Sequence, residues 1–324
     1  MENPKTLQQA IRYFSDEQTC IDTVAAMRWP DGVTCPACLH KDHYYLKTQK
    51  RWKCKECGRQ FSVKLGTIFE DSPVPLDKWL AALWMLANCK NGVSSYEVAR
   101  AIGVTQKSAW FMLHRLRLAL QSKSLYKAGG GSDAVEVDES FIGGKIKNMH
   151  RDRAMRFSAS GGTGGAVGKA VVMGILDRET RQIRAKVVPN VKRVTLQNEI
   201  LKEVKHGSTI YSDAHTAYDK LKYNYVHQTV NHIEKYVEGQ VHTNGLENFW
   251  SLLKRSLSGT YVAVEPFHLS RYVDEQVFRF NSRKKLSGDK VTDSERFNLA
   301  LSQIAHKRLT FAEVTGKTGT PTSA

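Results

Sequence analysis

The chain has 324 residues, 41% of them hydrophobic and 25% charged, which is the composition of a globular protein and excludes wholesale disorder. Lysine and arginine number 48 against 32 acidic residues, so the formal net charge is +16 and a polyanionic partner is indicated. No apolar run approaches the roughly 18 residues that span a bilayer, and no signal-peptide core opens the chain, so we expect a cytoplasmic protein without a membrane partner.

Residues 1–30 are predicted to form a helical lead-in, because apolar side chains recur near helical spacing. The turn residues Trp29-Pro30-Asp31-Gly32 end this pattern. The apolar positions are Leu7, Ile11, Phe14, Ile21 and Val24.

Residues 31–70 carry two cysteine pairs, Cys35-Pro-Ala-Cys38 and Cys54-Lys-Glu-Cys57, with fifteen residues between them. Each pair points two thiolates at one ion, and two pairs complete a tetrahedral sulfur site that suits Zn²⁺. Four thiolates leave no open position, so a structural zinc ribbon is predicted. A redox dithiol is the alternative, and the two remaining cysteines, Cys20 and Cys89, are interpreted as packing residues.

Residues 71–128 have the pattern of a helix-turn-helix DNA-binding module. Ser94 and Glu97 form a predicted capping box, Gly103 makes the turn, and a helix led by polar residues follows. The leading residues are expected to reach base edges in the major groove, and two arginines further along the helix are expected to meet phosphates. A plain helical hairpin is the alternative. The predicted DNA contacts are Thr105, Gln106, Lys107, Ser108, Arg115 and Arg117.

Residues 129–133 are a predicted glycine-rich linker, and strand patterns begin at residue 134. A meander of three strands, a helix, a fourth strand and a late acidic helix describe a ribonuclease-H-like α/β core over residues 134–285, with a mixed sheet flanked by helices. In that fold the first and fourth strands are neighbours. The strands are predicted over residues 134–141, 169–176, 183–188, 209–213 and 223–230, with helices near 195–204 and from 245 onward.

Three carboxylates are candidate ligands: Asp138 ends the apolar run Val135–Asp138, Asp213 ends the fourth strand and Glu247 opens the late helix. In a strongly basic chain, carboxylates that meet at one edge of a sheet can hold Mg²⁺ for attack on a phosphodiester. Alternation along the strand places Glu139 on the face opposite Asp138, whereas Glu136 shares the face of Asp138 and is a rival ligand.

The chain resembles the insertion-sequence transposases of the ISXO-type group in bacteria, within the DDE superfamily. The resemblance covers about residues 20–285 and includes the order of zinc ribbon, helical module and core. It is carried by the segments Val137–Lys145, Ser212–Tyr218, His242–Arg255, Gly259–Tyr261, His268–Tyr272 and Phe280–Arg283.

The resemblance implies Mg²⁺-dependent cleavage at the ends of a mobile element, followed by strand transfer of the freed 3′-hydroxyl to target DNA. It implies two Mg²⁺ (or Mn²⁺) ions held by Asp138 and Asp213, with Glu247 as third ligand; Asn244 and Asn248 remain alternatives for that position. Lys254 lies seven residues after Glu247, nearly on the same helix face, where it can hold a phosphate. Its neighbour Arg255 is a further expected DNA contact.

The partner is therefore expected to be double-stranded DNA, bound by a homodimer or higher assembly associated with the nucleoid. Two other functions stay open: a catalytically inactive DNA-binding regulator derived from a transposase, and a nuclease that cuts without joining. Residues 145–169 are predicted to be a mobile basic loop, and residues 286–324 a C-terminal helix with a disordered tail over about the last twenty residues.

Overall fold

The computed structural model of the chain describes residues 4–121, 126–144, 155, 168–213, 216–230 and 241–317. Nearly all of the predicted loop at 145–169 lies outside these residues, as does the end of the tail. The chain forms two compact units, one made of residues up to 122 together with 282–322, the other of residues 123–281. In the part of the chain described, no helix has the length and hydropathy needed to cross a membrane.

The helices are α1 (Leu7–Tyr13), α2 (Glu17–Arg28), α3 (Leu76–Asn88), α4 (Ser95–Ile102), α5 (Gln106–Leu120), α6 (Arg193–Glu203), α7 (Asn244–Gly259), α8 (Leu269–Asn281), α9 (Asp293–Ser302) and α10 (Phe311–Val314). The strands are β1 (His43–Leu46), β2 (Arg51–Cys54), β3 (Gln60–Phe61), β4 (Val135–Ile142), β5 (Ala170–Asp177), β6 (Gln182–Val188), β7 (Thr209–Asp213) and β8 (Val226–Val230).

The first unit joins the N-terminal modules to the C-terminal segment, which is residues 282–317 of the described chain. Phe297 of α9 contacts Phe14 and Trp84, with ring centroids 5.5 and 5.1 Å apart. Arg296 donates from Nε to Oδ1 of Asn88 over 2.8 Å. Helix α9 therefore completes the apolar core of the N-terminal helices, an arrangement that the sequence pattern does not indicate.

The sequence predicts disorder over about the last twenty residues, but the chain is still folded after α9, where it forms α10. The predicted start of the tail is therefore wrong. Thr310 and Glu313 form a capping box at the start of α10. Val314 is fully buried, so its burial holds this turn against the unit. The described part of the chain runs to residue 317.

The two helices of the predicted helix-turn-helix begin and end where the capping residues require. Ser94 and Glu97 form the predicted capping box of α4. Gly103 ends α4 with φ of +63°, a left-handed conformation that glycine adopts without a steric penalty. Thr105 then caps α5 by accepting a hydrogen bond from the backbone N–H of Ser108.

The second unit is built on a five-stranded mixed sheet with the order β6-β5-β4-β7-β8. The pairs β4–β5 and β5–β6 are antiparallel, and β4–β7 and β7–β8 are parallel. The predicted adjacency of β4 and β7 is confirmed. Helix α6 packs on one face of the sheet, and α7 and α8 pack on the other.

The predicted linker is held against the second unit. Asp177 accepts hydrogen bonds from the backbone N–H of Gly129 at 2.9 Å and of Thr180 at 3.0 Å. Asp177 is thus a turn carboxylate that also anchors the segment entering β4. Ser132 is held in the same way by Glu179.

Candidate active site and metal centre

Alternation along β4 sorts its side chains into an apolar face and an acidic face. Val135 and Val137 are buried in the cluster formed with α6. Asp138 points to the opposite face, where its Oδ2 accepts a hydrogen bond from Nε1 of Trp250 in α7 at 2.8 Å. Glu136 faces the same helix, because it accepts the backbone N–H of Leu246. Both carboxylates of this face therefore lie beneath α7.

Asp213 ends β7, the parallel neighbour of β4. The paired residues Val135–Ile210 and Glu136–Tyr211 set the register. Two positions further along both strands, Asp138 and Asp213 stand level, on neighbouring strands about 4.8 Å apart. The negative charge of Asp213 acts on Asp138, in agreement with this proximity.

Glu247 lies in the first turn of α7. The helix buries one stripe against the sheet, made of Leu246, Phe249, Trp250 and Leu253. Glu247 is exposed beside this stripe, three residues before Trp250. Lys254 is also exposed and follows Glu247 by nearly two turns, so the two side chains project from similar directions.

The pKa of the Asp138 carboxyl is raised to about 7 from its ordinary value of 3.8. Burial is the main cause and the negative charges of Asp213 and Glu139 contribute to the same shift, while the hydrogen bond from Trp250 opposes it. Carboxylates that repel one another in a desolvated place favour a bound cation. Oxygen donors of this kind suit Mg²⁺ or Mn²⁺.

Glu139 lies on the other side of the sheet, as the alternation predicts. Its Oε2 accepts a hydrogen bond from the hydroxyl of Tyr218, which is fully buried in the cluster with α6. Burial and the charge of Glu139 raise the pKa of Tyr218 well above its ordinary value, so the phenol stays protonated and donates.

The four predicted zinc ligands come together at one end of the β1–β3 sheet. Their Sγ atoms all lie within 4.8 Å of one another. Cys35 and Cys57 are 3.7 Å apart, and Cys38 and Cys54 are 3.5 Å apart. A tetrahedron with Zn–S bonds of 2.3 Å has sulfur separations of about 3.8 Å. The four thiols thus fit Zn²⁺.

Two family models match the chain at the places where these sites lie. A transposase zinc-ribbon domain matches residues 15–60, which include all four cysteines. An ISXO2-like transposase domain matches residues 130–281, which include Asp138, Asp213 and Glu247. Residues 130–281 thus belong to the ISXO2-like transposase domain family, and residues 15–60 to the transposase zinc-ribbon family.

A named relative agrees with this membership. An uncharacterized protein in transposable element ISH50 of Halobacterium salinarum (strain ATCC 700922 / JCM 11081 / NRC-1) is 28% identical over 257 residues. The alignment covers 76% of this chain and 85% of the relative.

The leading residues of α5, which are the predicted base contacts, are accessible to solvent but already contact other residues of the first unit. Gln106 donates from its side chain to Ser95 of α4 at 2.8 Å, joining the two helices. Thr105 and Ser108 bond to each other in the cap. Lys107 is exposed, with its ammonium 5.2 Å from the ring centroid of Phe311.

The structure contradicts the predicted phosphate contacts of Arg115 and Arg117, which are only 4% and 1% exposed. Arg115 donates to the backbone carbonyl of Glu70 at 2.6 Å. The C-terminal segment covers this part of α5: Phe311 packs on Phe111 with centroids 5.6 Å apart, and Lys307 donates to the carbonyl of Ala119. Both arginines are therefore interior residues of the first unit.

Sequence reasoning also missed partners of the acidic face. Arg178 pairs with Glu136, with Nε 2.8 Å from Oε1. Trp250 packs against the sheet with 5% exposure and donates its indole N–H to Asp138, a hydrogen bond that the sequence does not indicate. The signal available for Trp250 was its position one turn after Glu247.

Proposed function

We propose that the chain is a DDE-type DNA transposase, which cleaves the ends of an insertion sequence and transfers the freed 3′-hydroxyl to target DNA. The observation that carries this proposal is the juxtaposition of Asp138, Asp213 and the helix of Glu247. The hydrogen bond from Trp250 to Asp138 joins that helix to the strand. The order of strands and helices in the second unit supports a ribonuclease-H-like core.

Asp138, Asp213 and Glu247 would hold two Mg²⁺ or Mn²⁺ ions. Bound there, such ions stabilise the attacking and leaving oxygens of an in-line displacement. The chain itself orients the ligands: Trp250 donates a hydrogen bond to Oδ2 of Asp138. Lys254 and Arg255 project from the exposed side of α7 and would contact the phosphates of the bound strand.

Helix geometry favours Glu247 as the third ligand over the two asparagines. At 100° per residue, Glu247 lies about 60° around the helix from Trp250, whereas Asn244 and Asn248 lie about 120° and 160° away. Since Trp250 marks the side of α7 nearest Asp138, the asparagine side chains are directed further from the acidic face.

DNA binding is assigned to the first unit. Helices α4 and α5, with the turn at Gly103, would act as a helix-turn-helix in which Thr105, Gln106, Lys107 and Ser108 approach the major groove. A structural Zn²⁺ on the four cysteines would hold the ribbon folded. Pairing of two element ends requires at least two protomers.

The test is strand transfer by the purified zinc-loaded protein with Mg²⁺ and a duplex carrying the element's end with a pre-cut 3′-hydroxyl. Joined product that disappears in Asp138→Ala, Asp213→Ala and Glu247→Ala, with DNA binding retained, supports the proposal. Activity that survives Glu247→Ala but not Asn244→Ala or Asn248→Ala moves the third ligand. Hydrolysis without joining identifies a nuclease, and DNA binding without either reaction identifies a regulator.

A further inference from the structure

Strand β4 and helix α7 are joined by two hydrogen bonds. Glu136 accepts the backbone N–H of Leu246 through Oε2 at 3.0 Å, and Asp138 accepts Nε1–H of Trp250 at 2.8 Å. The first bond holds the start of α7, and the second holds the helix about one turn further along. Together they tie α7 to β4 at two points.

Glu136 has both of its oxygens in use. It is 2% exposed, and Oε1 accepts Nε of Arg178 at 2.8 Å while Oε2 accepts the amide of Leu246. Arg178 continues the connection, because its Nη2 donates to the backbone carbonyl of His242 at 2.7 Å. The pair thus binds the segment before α7 and its first turn together.

Close packing at the start of α7 leaves no room for a side chain at Gly245. A Cβ atom there would lie 2.2 Å from Cδ2 of Leu176 and 2.9 Å from Oε2 of Glu136. At the other end of the same helix, Gly259 has nothing within 4 Å of the corresponding position. The first turn is therefore packed against Glu136, whereas Gly259 in the last turn borders open space.

We propose that Glu136, supported by Arg178, is a positioning residue of the active site. It fixes the first turn of α7 on β4 and so sets where Glu247 stands relative to Asp138 and Asp213. Glu136 is not itself a metal ligand, since an arginine and a helix amide occupy its oxygens. The inference rests on the proposed function, in which Glu247 binds the metal ions.

The test compares two matched pairs of variants in the full-length, zinc-loaded protein. Gly245→Ala lifts the first turn of α7, and Gly259→Ala is its control on the same helix. Glu136→Gln removes the charge of the buried pair, and Glu203→Gln is its control, because Glu203 pairs with Arg184 at 3.4 Å nearer the surface. Mn²⁺ affinity is measured by titration calorimetry, with Asp138→Ala giving the background, and amide exchange is followed at Leu246.

We expect Gly245→Ala and Glu136→Gln to bind Mn²⁺ about tenfold more weakly or worse, as for other residues that orient metal ligands. The amide of Leu246 should exchange faster in both, while binding to element-end DNA is retained. Gly259→Ala and Glu203→Gln should match the wild type. If Glu136 and Arg178 only stabilised the fold, their loss would lower the free energy of unfolding and leave the Mn²⁺ affinity of the folded protein unaltered.

Wild-type Mn²⁺ affinity in a folded Gly245→Ala protein would overturn the inference. That variant keeps both residues of the Glu136–Arg178 pair, so it decides the matter even when Glu136→Gln fails to fold. The proposed function fails separately: a wild type that joins no DNA, but whose Mn²⁺ binding weakens in Gly245→Ala, refutes the transposase and leaves the positioning role of Glu136 standing.

Discussion

Gly174 lies directly opposite Asp138 on the neighbouring strand β5, and its missing side chain makes room for the indole of Trp250. A Cβ at Gly174 would stand 2.8 Å from Cζ2 of Trp250 and 2.8 Å from Cδ2 of Leu246. The hydrogen bond between Trp250 and Asp138 therefore depends on a glycine in a third element. Strand β5, which supplies no candidate ligand, still shapes the acidic site.

Gly174→Ala should destabilise the second unit and lift α7 away from Asp138. The added methyl group meets ring and methyl carbons in a packed interface, and overpacking of this kind costs about 1–3 kcal/mol. Denaturant unfolding followed by tryptophan fluorescence would measure the loss. Gly144→Ala is the control, since nothing lies within 4 Å of a Cβ at Gly144. Equal stabilities of the two variants would contradict the packing argument.

Asp138→Asn should stabilise the protein at alkaline pH when no Mg²⁺ or Mn²⁺ is added. Burial raises the folded-state pKa of Asp138 to about 7, above its ordinary value of 3.8. The protonated form is thus favoured by folding, and the stability it contributes is complete below the unfolded pKa and lost as the pH rises through about 7. Each pKa unit corresponds to about 1.4 kcal/mol.

Asparagine carries no charge at any of these pH values and still offers Oδ1 to Trp250. The free energy of unfolding of Asp138→Asn should therefore equal that of the wild type near pH 4 and exceed it by a few kcal/mol at pH 8, as measured by calorimetry. Added Mg²⁺ should narrow the difference by stabilising only the wild type. A gap that does not depend on pH would refute this account.

The acidic residues of the site could be predicted because each stands at a position that a local pattern marks. Asp138 and Asp213 belong to apolar strands, and Glu247 opens an amphipathic helix. The pairing of β4 with β7, which sets Asp138 level with Asp213, followed from the order of elements. The Glu136–Arg178 pair could not be found in this way, because 42 positions separate its members and no periodicity links them.

The error at Arg115 and Arg117 has a helical cause. Residues two positions apart on a helix point in directions about 160° apart, so both cannot face one DNA backbone. Their burial also depends on the C-terminal segment, where Phe311 and Lys307 contact α5. A contact between residues so distant in the chain has no local sequence signal.

Replacing Cys38 by serine should remove the zinc and unfold the ribbon. Three thiolates bind Zn²⁺ more weakly than four, and the short β1–β3 sheet buries too little apolar surface to fold without metal. Metal analysis should fall from about one zinc per chain toward none, with loss of binding to the element's end. Cys20→Ser is the control, because Cys20 is buried in α2 and donates to the carbonyl of Phe14. Zinc retained in Cys38→Ser would exclude the four-thiolate site.

Lys107 and Arg115 should separate DNA binding from stability within one helix. Lys107 is exposed at the start of α5, so Lys107→Ala should weaken binding to the element's end and reduce the slope of log affinity against log salt by about one. The free energy of unfolding of Lys107→Ala should stay close to that of the wild type, because the substitution removes only a solvent-exposed contact with Phe311.

Arg115→Ala should do the reverse. The substitution empties a buried position and leaves the carbonyl of Glu70 without its donor, which costs about 1–3 kcal/mol. Because Arg115 is 4% exposed, the salt dependence of DNA binding should keep its wild-type slope wherever the variant is folded. Fluorescence anisotropy at several salt concentrations, combined with thermal unfolding, measures both effects. A reduced salt slope in a folded Arg115→Ala protein would contradict the assignment of Arg115 to the interior of the first unit.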